Sequence, residues 1–313
     1  MLSNSYFYQA GINLQLNYSM GISQFSCPPP APPCGGPGPW STFTGSAGAF
    51  SAGTNPAFGG CFGFPGSCFD TNSFFLGHGG FGNDIQIARG GPGNDRISQR
   101  GGFGHDTQIA MGGRGRDRIN QRGGFGNDTQ IAKGGPGNDR IVQRGGFGND
   151  TQIAVGGRGR DRINQRGGFG NDTQIAKGGP GNDRIVQRGG FGNDTQIAKG
   201  GRGNDRIVQR GGPGNDLLRA NGGPGNDRIV QNGGRGKDSL RYNVSAGKDR
   251  ARLNGGRGKD NAVIRSGADD NFRVVNGKGK TLYSQGKGGS VIRVKGVENL
   301  RVLGDKGKVL YKK

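Results

Sequence analysis

The chain has 313 residues, 71 of them Gly and only 29% hydrophobic. That apolar fraction is too small for a large three-dimensional core, because ordering Gly costs more backbone entropy than ordering any other residue. The net charge of +21, from 43 basic and 22 acidic residues, is confined to one part of the chain, since no Lys or Arg precedes Arg89. A neutral head on a strongly basic body points towards polyanionic partners such as nucleic acid, lipopolysaccharide, wall polymer or anionic lipid.

The head, residues 1–78, is rich in Gly, Pro, Ser, Asn and Phe and carries all four Cys. This composition predicts a disordered or loosely collapsed segment, with self-association through its aromatics as the sharper alternative. The Cys form two Cys-x6-Cys pairs, Cys27 with Cys34 and Cys61 with Cys68. That spacing favours disulfides or free thiols over a zinc site, whose ligands usually stand two to four residues apart. No stretch reaches the ~18 apolar residues of a membrane helix, and the start lacks the pattern of a standard signal peptide.

From Gly79 the sequence locks into an 11-residue period that runs unbroken through Arg265, giving 17 units. Two unit types alternate: GGFGNDTQIAK (F-type) and GGPGNDRIVQR or GGRGRDRINQR (P/R-type). An 11-residue period also occurs in right-handed helical coiled coils, but three Gly per unit, each costing roughly 1 kcal/mol inside a helix, exclude that. The remaining parse is a six-residue Gly-rich turn followed by a five-residue strand of Ile, Val, Thr and Gln. Two units then make one flattened coil of 22 residues. The expected fold is an all-β, parallel β-solenoid, β-roll-like, over residues 79–265, with coils ~4.8 Å apart and degenerate end units leading into capping strands and a basic tail at 266–313.

The acids carry the strongest signal. Of the 22 Asp and Glu, 17 occupy position six, every 11 residues from Asp84 to Asp260. In a two-turn coil, Asp84, Asp106, Asp128, Asp150, Asp172, Asp194 and Asp216 stack along one edge. Asp95, Asp139, Asp183, Asp205 and Asp227 stack along the other, together with Asp117 and Asp161, which Arg flanks on both sides. Stacked carboxylates repel, so the columns require neutralisation. Calcium is one means, since it takes six to eight carboxylate and carbonyl oxygens. In the alternative, each Asp caps its turn by accepting backbone N–H, and Arg at position seven (Arg96, Arg118, Arg140) supplies the countercharge.

GGFGND and GGPGND resemble the Gly-Gly-x-Gly-x-Asp loop of the repeats-in-toxin, or haemolysin-type, calcium-binding repeat family, and GVENL at 296–300 resembles a segment found beside such repeats. The resemblance implies a parallel β-roll with Ca²⁺ between successive turns. Its ligands would be Asp84, Asp106, Asp128, Asp150, Asp172, Asp194 and Asp216 on one edge and Asp95, Asp139, Asp183, Asp205 and Asp227 on the other. It also implies export by a C-terminal signal, to the cell surface or the extracellular space. This chain departs from the family pattern in its 11-residue unit, where the family has nine, and in its basic charge.

In P/R-type units position eight is Ile, which predicts that positions seven and eleven face outward. Arg118, Arg122, Arg140, Arg144, Arg162, Arg166, Arg184 and Arg188 then form a cationic strip. In F-type units the register stays open: Ile109 and its equivalents face inward with Gln108 outside, or the reverse. No catalytic constellation is present. His78 and His105 are the only His, and GGPGNDR lacks the Lys-Ser/Thr of a phosphate loop. The sequence therefore predicts a non-enzymatic, calcium-binding structural repeat protein with no small-molecule substrate, or else a metal-independent basic solenoid that binds polyanions through its Arg face.

Overall fold

A computed structural model describes residues 73–266, 270–286 and 288–313. The Cys pairs and nearly all of the head lie outside the described residues. The described chain is a parallel β-solenoid of about ten turns with about 22 residues per turn. P/R-type strands form a 12-stranded sheet and F-type strands an 11-stranded sheet. Strand n pairs in parallel with strand n+2 at a shift of 22 residues, so Arg118 pairs with Arg140 and Thr129 with Thr151.

The strands are longer than the sequence parse gave. Arg118–Phe125 and Thr129–Pro136, for example, each run eight residues, through the two Gly and the third position of the following unit. Only Gly-x-Asp is left as the turn. Glycine is what allows this. Gly124 and Gly126 have φ of 151° and 124°, and a Cβ on either would strike the carbonyl oxygen of Gly102 or Gly104 in the preceding coil. Any other residue at these positions would force the coils apart.

The solenoid begins one strand before the first full repeat. Phe74–His78 pairs in parallel with Arg96–Phe103. At the other end, Ser290–Lys295 and Asn299–Leu303 add a further strand to each sheet by parallel pairing with Arg250–Arg257 and Asn261–Arg265. Each sheet then ends on an antiparallel strand, Thr281–Gln285 in one and Val309–Lys312 in the other. Antiparallel edge strands of this kind interrupt the parallel stacking pattern that would otherwise template another chain.

The interior explains how so Gly-rich a chain can fold. Each regular coil buries one Ile and one Gln from the P/R strand, and one Gln and one Ala from the F strand, such as Ile141, Gln143, Gln130 and Ala132. The open register is thereby decided: in F-type strands Gln faces inward, and Ile109, Ile131, Ile153, Ile175 and Ile197 lie on the outer face, half-buried. The buried Gln form two amide ladders. Gln143 Nε2 lies 2.8 Å from Gln121 Oε1 in the coil below, and 3.0 and 3.1 Å from the backbone oxygens of Gln130 and Ile153 in the opposite sheet. Gln130 Nε2 donates the other way, to the Arg144 carbonyl at 2.8 Å. Amides inside are tolerable because these bonds engage every Nε2 and most Oε1 atoms and also tie the two sheets together, while Gln174 and Gln196 Oε1 stay buried without a partner.

Candidate functional site

Both Asp columns lie inside the coil. From Asp95 to Asp260 every position-six Asp is buried, with Asp84 half-exposed at the open end. From Asp106 on, Oδ1 of each accepts the backbone N–H of the Asp one coil earlier: Asp128 N–H donates to Asp150 Oδ1 at 2.8 Å, and Asp139 N–H to Asp161 Oδ1 at 2.8 Å; Asp95 Oδ1 accepts from Ser73 N–H. The ladders end on substitutes. Ser290 Oγ accepts from Asp249 N–H, and Glu298 Oε2 from Asp260 N–H. The only Glu in the chain thus takes the place of the next Asp.

Oδ2 behaves differently. In Asp84 and Asp95 it accepts from Gly80 and Gly91 N–H at 2.9 Å. In Asp249 it accepts from Tyr242 Oη at 2.6 Å and Ser245 Oγ at 3.1 Å. In the other fourteen, from Asp106 to Asp260, Oδ2 is buried with no hydrogen-bond partner. It packs against the first Gly of its own unit, where a Cβ would collide with it. This contact accounts for Gly at position one. Burial raises the carboxyls out of the ordinary range, opposed by the backbone N–H and reinforced by neighbouring Asp. Asp139, Asp150, Asp183, Asp194, Asp216 and Asp227 are pushed up to about 7. Asp128, Asp172, Asp205 and Asp238 reach about 6.

The Arg-flanked units are not exceptions. Asp117 and Asp161 have the same Oδ1 bond, accepted from Asp95 and Asp139 N–H, and the same unpartnered Oδ2 as Asp128 or Asp150. Nor does position-seven Arg act as the countercharge inside the turn, since Arg96, Arg118 and Arg140 are exposed on the outer face while the Asp beside them are buried. The structure brings the nominated Asp into two columns, adjacent members one coil apart. Among the described residues no group of three or more His, Cys, Asp or Glu is placed to hold a metal ion.

The nominated Arg lie outside, as alternation requires. Position seven gives the column Arg118, Arg140, Arg162 and Arg184, and position eleven the column Arg122, Arg144, Arg166 and Arg188, each aligned Cα to Cα across the sheet. Between them runs a column of Asn120, Val142, Asn164 and Val186 that contains no acid. Arg144 and Arg188 donate to Asn120 and Asn164 Oδ1 at 3.2 and 3.3 Å. Partial burial and the neighbouring Arg push both guanidinium groups down from their ordinary value. A shallow groove of about 220 Å³ runs between the columns.

Two surface ladders escaped the sequence reading. The third-position Phe of F-type units, Phe81, Phe103, Phe125, Phe147, Phe169 and Phe191, stack with ring centroids 4.8–5.1 Å apart and nearly parallel planes. Position-five side chains form the second ladder, in which Asn127 Oδ1 accepts Asn149 N–H at 2.7 Å and so on along both edges. The signal was Phe at position three every 22 residues for the first ladder and a predominance of Asn at position five for the second.

Comparison with protein-family models, curated proteins and solved structures gave no match to this chain. Among the described residues no helix is long and apolar enough to cross a membrane.

Proposed function

We propose that this protein is a non-catalytic scaffold whose Arg face binds polyanions at the cell surface or in the extracellular space. The observation that carries this reading is the separation of charge. The acids of the repeat are inside the coil and its Arg are outside, so the outer face is more cationic than the composition alone suggests. Guanidinium columns at one-coil spacing suit a dense linear anion such as lipopolysaccharide, a wall polymer or nucleic acid. Guanidinium contacts to backbone phosphates position a nucleic acid without reading its base sequence. Binding to heparin, lipopolysaccharide and DNA should be similar at matched charge density and should collapse with added salt. Changing Arg118, Arg122, Arg162 and Arg166 together to Glu should abolish it with the β-sheet circular dichroism unchanged. Salt-resistant binding to a single polymer would overturn the reading.

A second reading, calcium binding, is favoured by the fourteen partnerless Oδ2 atoms. Carboxylate and Gly carbonyl oxygens are the donors a hard divalent cation takes, and the resemblance to haemolysin-type loops points the same way. Asp106, Asp128, Asp150, Asp172, Asp194 and Asp216 on one edge, and Asp139, Asp183, Asp205 and Asp227 on the other, would hold Ca²⁺, which would supply the positive charge the columns lack. Because Asp117 and Asp161 have the same geometry, they belong to the set as well. At pH 8, Ca²⁺ near 10⁻⁴–10⁻³ M should raise the melting temperature above its value in chelator. Equal melting temperatures would exclude calcium.

A further inference from the structure

On the P/R edge, position five does not hold Asn throughout. Going up the stack it reads Asn94, Arg116, Asn138, Arg160, Asn182, Asn204 and Asn226. In the regular ladder each of these residues donates its backbone N–H to the side chain one coil earlier: Arg116 to Asn94, Arg160 to Asn138, and Asn204 to Asn182, at 2.7 Å. For Asn138 the residue one coil earlier is Arg116, whose guanidinium has no acceptor. The Asn138 N–H is therefore left without its ladder partner at the one place on this edge that has an Arg both above and below.

The surroundings are cationic on every side. Arg116, Arg118, Arg140, Arg160 and Arg162 line a hollow of about 270 Å³ with Asn138 between them. Arg116 and Arg160 stand two coils apart, roughly 10 Å at the backbone, which leaves room for one small anion between their side chains. Asp117 and Asp139 reach the hollow from inside, but their Oδ1 atoms are engaged by backbone N–H, and five guanidinium groups outnumber them. We propose that this hollow is a discrete subsite for a tetrahedral oxyanion, a phosphate or sulfate group, bound between Arg116 and Arg160 and receiving the Asn138 N–H. A carboxylate presents two oxygens in one plane, which a single bidentate Arg satisfies. Donors converging from three successive coils match the three or more oxygens of a phosphate or sulfate ester. The subsite rests on the polyanion reading and adds selectivity to it: the Arg columns attract any anionic polymer, and this hollow favours those that carry phosphate or sulfate.

The test uses the full chain and three probes of matched charge density: heparin, inorganic polyphosphate and poly-glutamate. The unaltered protein should bind the first two about tenfold more tightly than poly-glutamate, the gain expected from charge-assisted bonds the third cannot make. The variant Arg116→Asn/Arg160→Asn restores the ladder of neighbouring units and so keeps the fold; it should lose that preference. The variant Arg114→Gln/Arg158→Gln removes the same charge from the same edge outside the hollow and should keep it. Heparin against polyphosphate tells sulfate from phosphate. In parallel, millimolar inorganic phosphate or sulfate should shift the Asn138 amide resonance. An unmoved Asn138 amide, or a preference that survives Arg116→Asn/Arg160→Asn, overturns the subsite. Failure of all three polymers to bind, with Asn138 still shifted by phosphate, overturns the polymer reading and leaves the subsite as a free-ion site.

Discussion

The regular coils and the coil that opens at Val244 solve the same problem in different ways. In the regular coils of this edge the Asp carboxyl is packed against the first Gly of its unit, and the last inward side chain of the strand before it is Ala, as in Ala176 before Asp183 and Ala198 before Asp205. At 244 the Gly-Gly is Val244-Ser245, and the inner Ala becomes Tyr242, which pairs in register with Ala220. The strand leading in is Ser239–Asn243, five residues like Leu217–Asn221, its neighbour one coil earlier. In exchange, Asp249 Oδ2 gains two hydroxyl donors. The interior changes with it: the Gln ladders give way to Leu218, Leu240 and Leu253. The comparison teaches that Oδ2 of this column accepts a donor where one is offered, from Tyr242 and Ser245 at Asp249 and from Gly91 N–H at Asp95, and that the Gly-Gly coils from Asp117 to Asp227 offer none. A proton or a cation on these Oδ2 atoms would supply what the hydroxyls supply to Asp249.

The largest effect that follows is on pH. A buried Asp whose ordinary value is 3.8 and whose folded value is about 7, such as Asp150 or Asp194, binds more protons folded than unfolded between those values. Its contribution to stability is fully present below the unfolded value and is lost as pH rises through the folded one. Because Asp in both columns share this shift, the melting temperature in chelator should fall steeply between about pH 4 and pH 8. Above pH 7 only a cation can replace the proton, so calcium and acid should act as alternatives. A melting temperature that is flat or rising over this range in chelator would show that the columns are neutralised by some other means.

The next effect tests the glycine half of the comparison. Gly178 holds in its coil the place that Val244 holds in the later one. A side chain at Gly178 would run into Asp183 Oδ2 and the Gly200 carbonyl. Gly178→Val should therefore cost about 3 kcal/mol or more, read as a lowered denaturation midpoint, whereas Val244→Gly should cost far less. Similar costs for the two would mean that the Asp carboxyl, not the backbone, adapts to position one.

Much of this architecture was legible in the sequence because the repeat reports on geometry directly. A strict 22-residue alternation fixes which residues stack, and Ile at position eight with Arg at seven and eleven fixes the outer face of one sheet. Periodicity failed where polarity and direction part company. Gln108 and Ile109 could each have pointed inward, and hydrophobicity favoured the wrong one. An amide that bonds both to its own column and to the opposite sheet outcompetes an Ile in so thin an interior. The length of the strands was also hidden, since Gly-Gly reads as turn although here it continues the ladder. The Asp columns were located correctly as edge columns, but the split of Oδ1 and Oδ2 into a bonded and an unbonded oxygen depends on coil-to-coil register, which no single unit contains.

The smallest expected effect isolates the hydroxyl donors. Tyr242→Phe keeps the ring that fills the place of Ala and removes only the hydroxyl 2.6 Å from Asp249 Oδ2. The loss should be about 1–3 kcal/mol, the cost of leaving a buried acceptor without its partner. Ser245→Ala, whose hydroxyl is more distant at 3.1 Å and only partly buried, should cost less. Burial holds Asp249 above the ordinary carboxylate value, and the Tyr242 and Ser245 hydroxyls pull it back. Removing Tyr242 Oη should raise it further, so the penalty should be greater at pH 8 than at pH 4.5, where a proton can take the place of the phenol. Denaturant titration of Tyr242→Phe at the two pH values measures this. An equal penalty at both would mean that the phenol stabilises the coil by packing alone, and that Asp249 differs from the other members of its column in its neighbours but not in its charge.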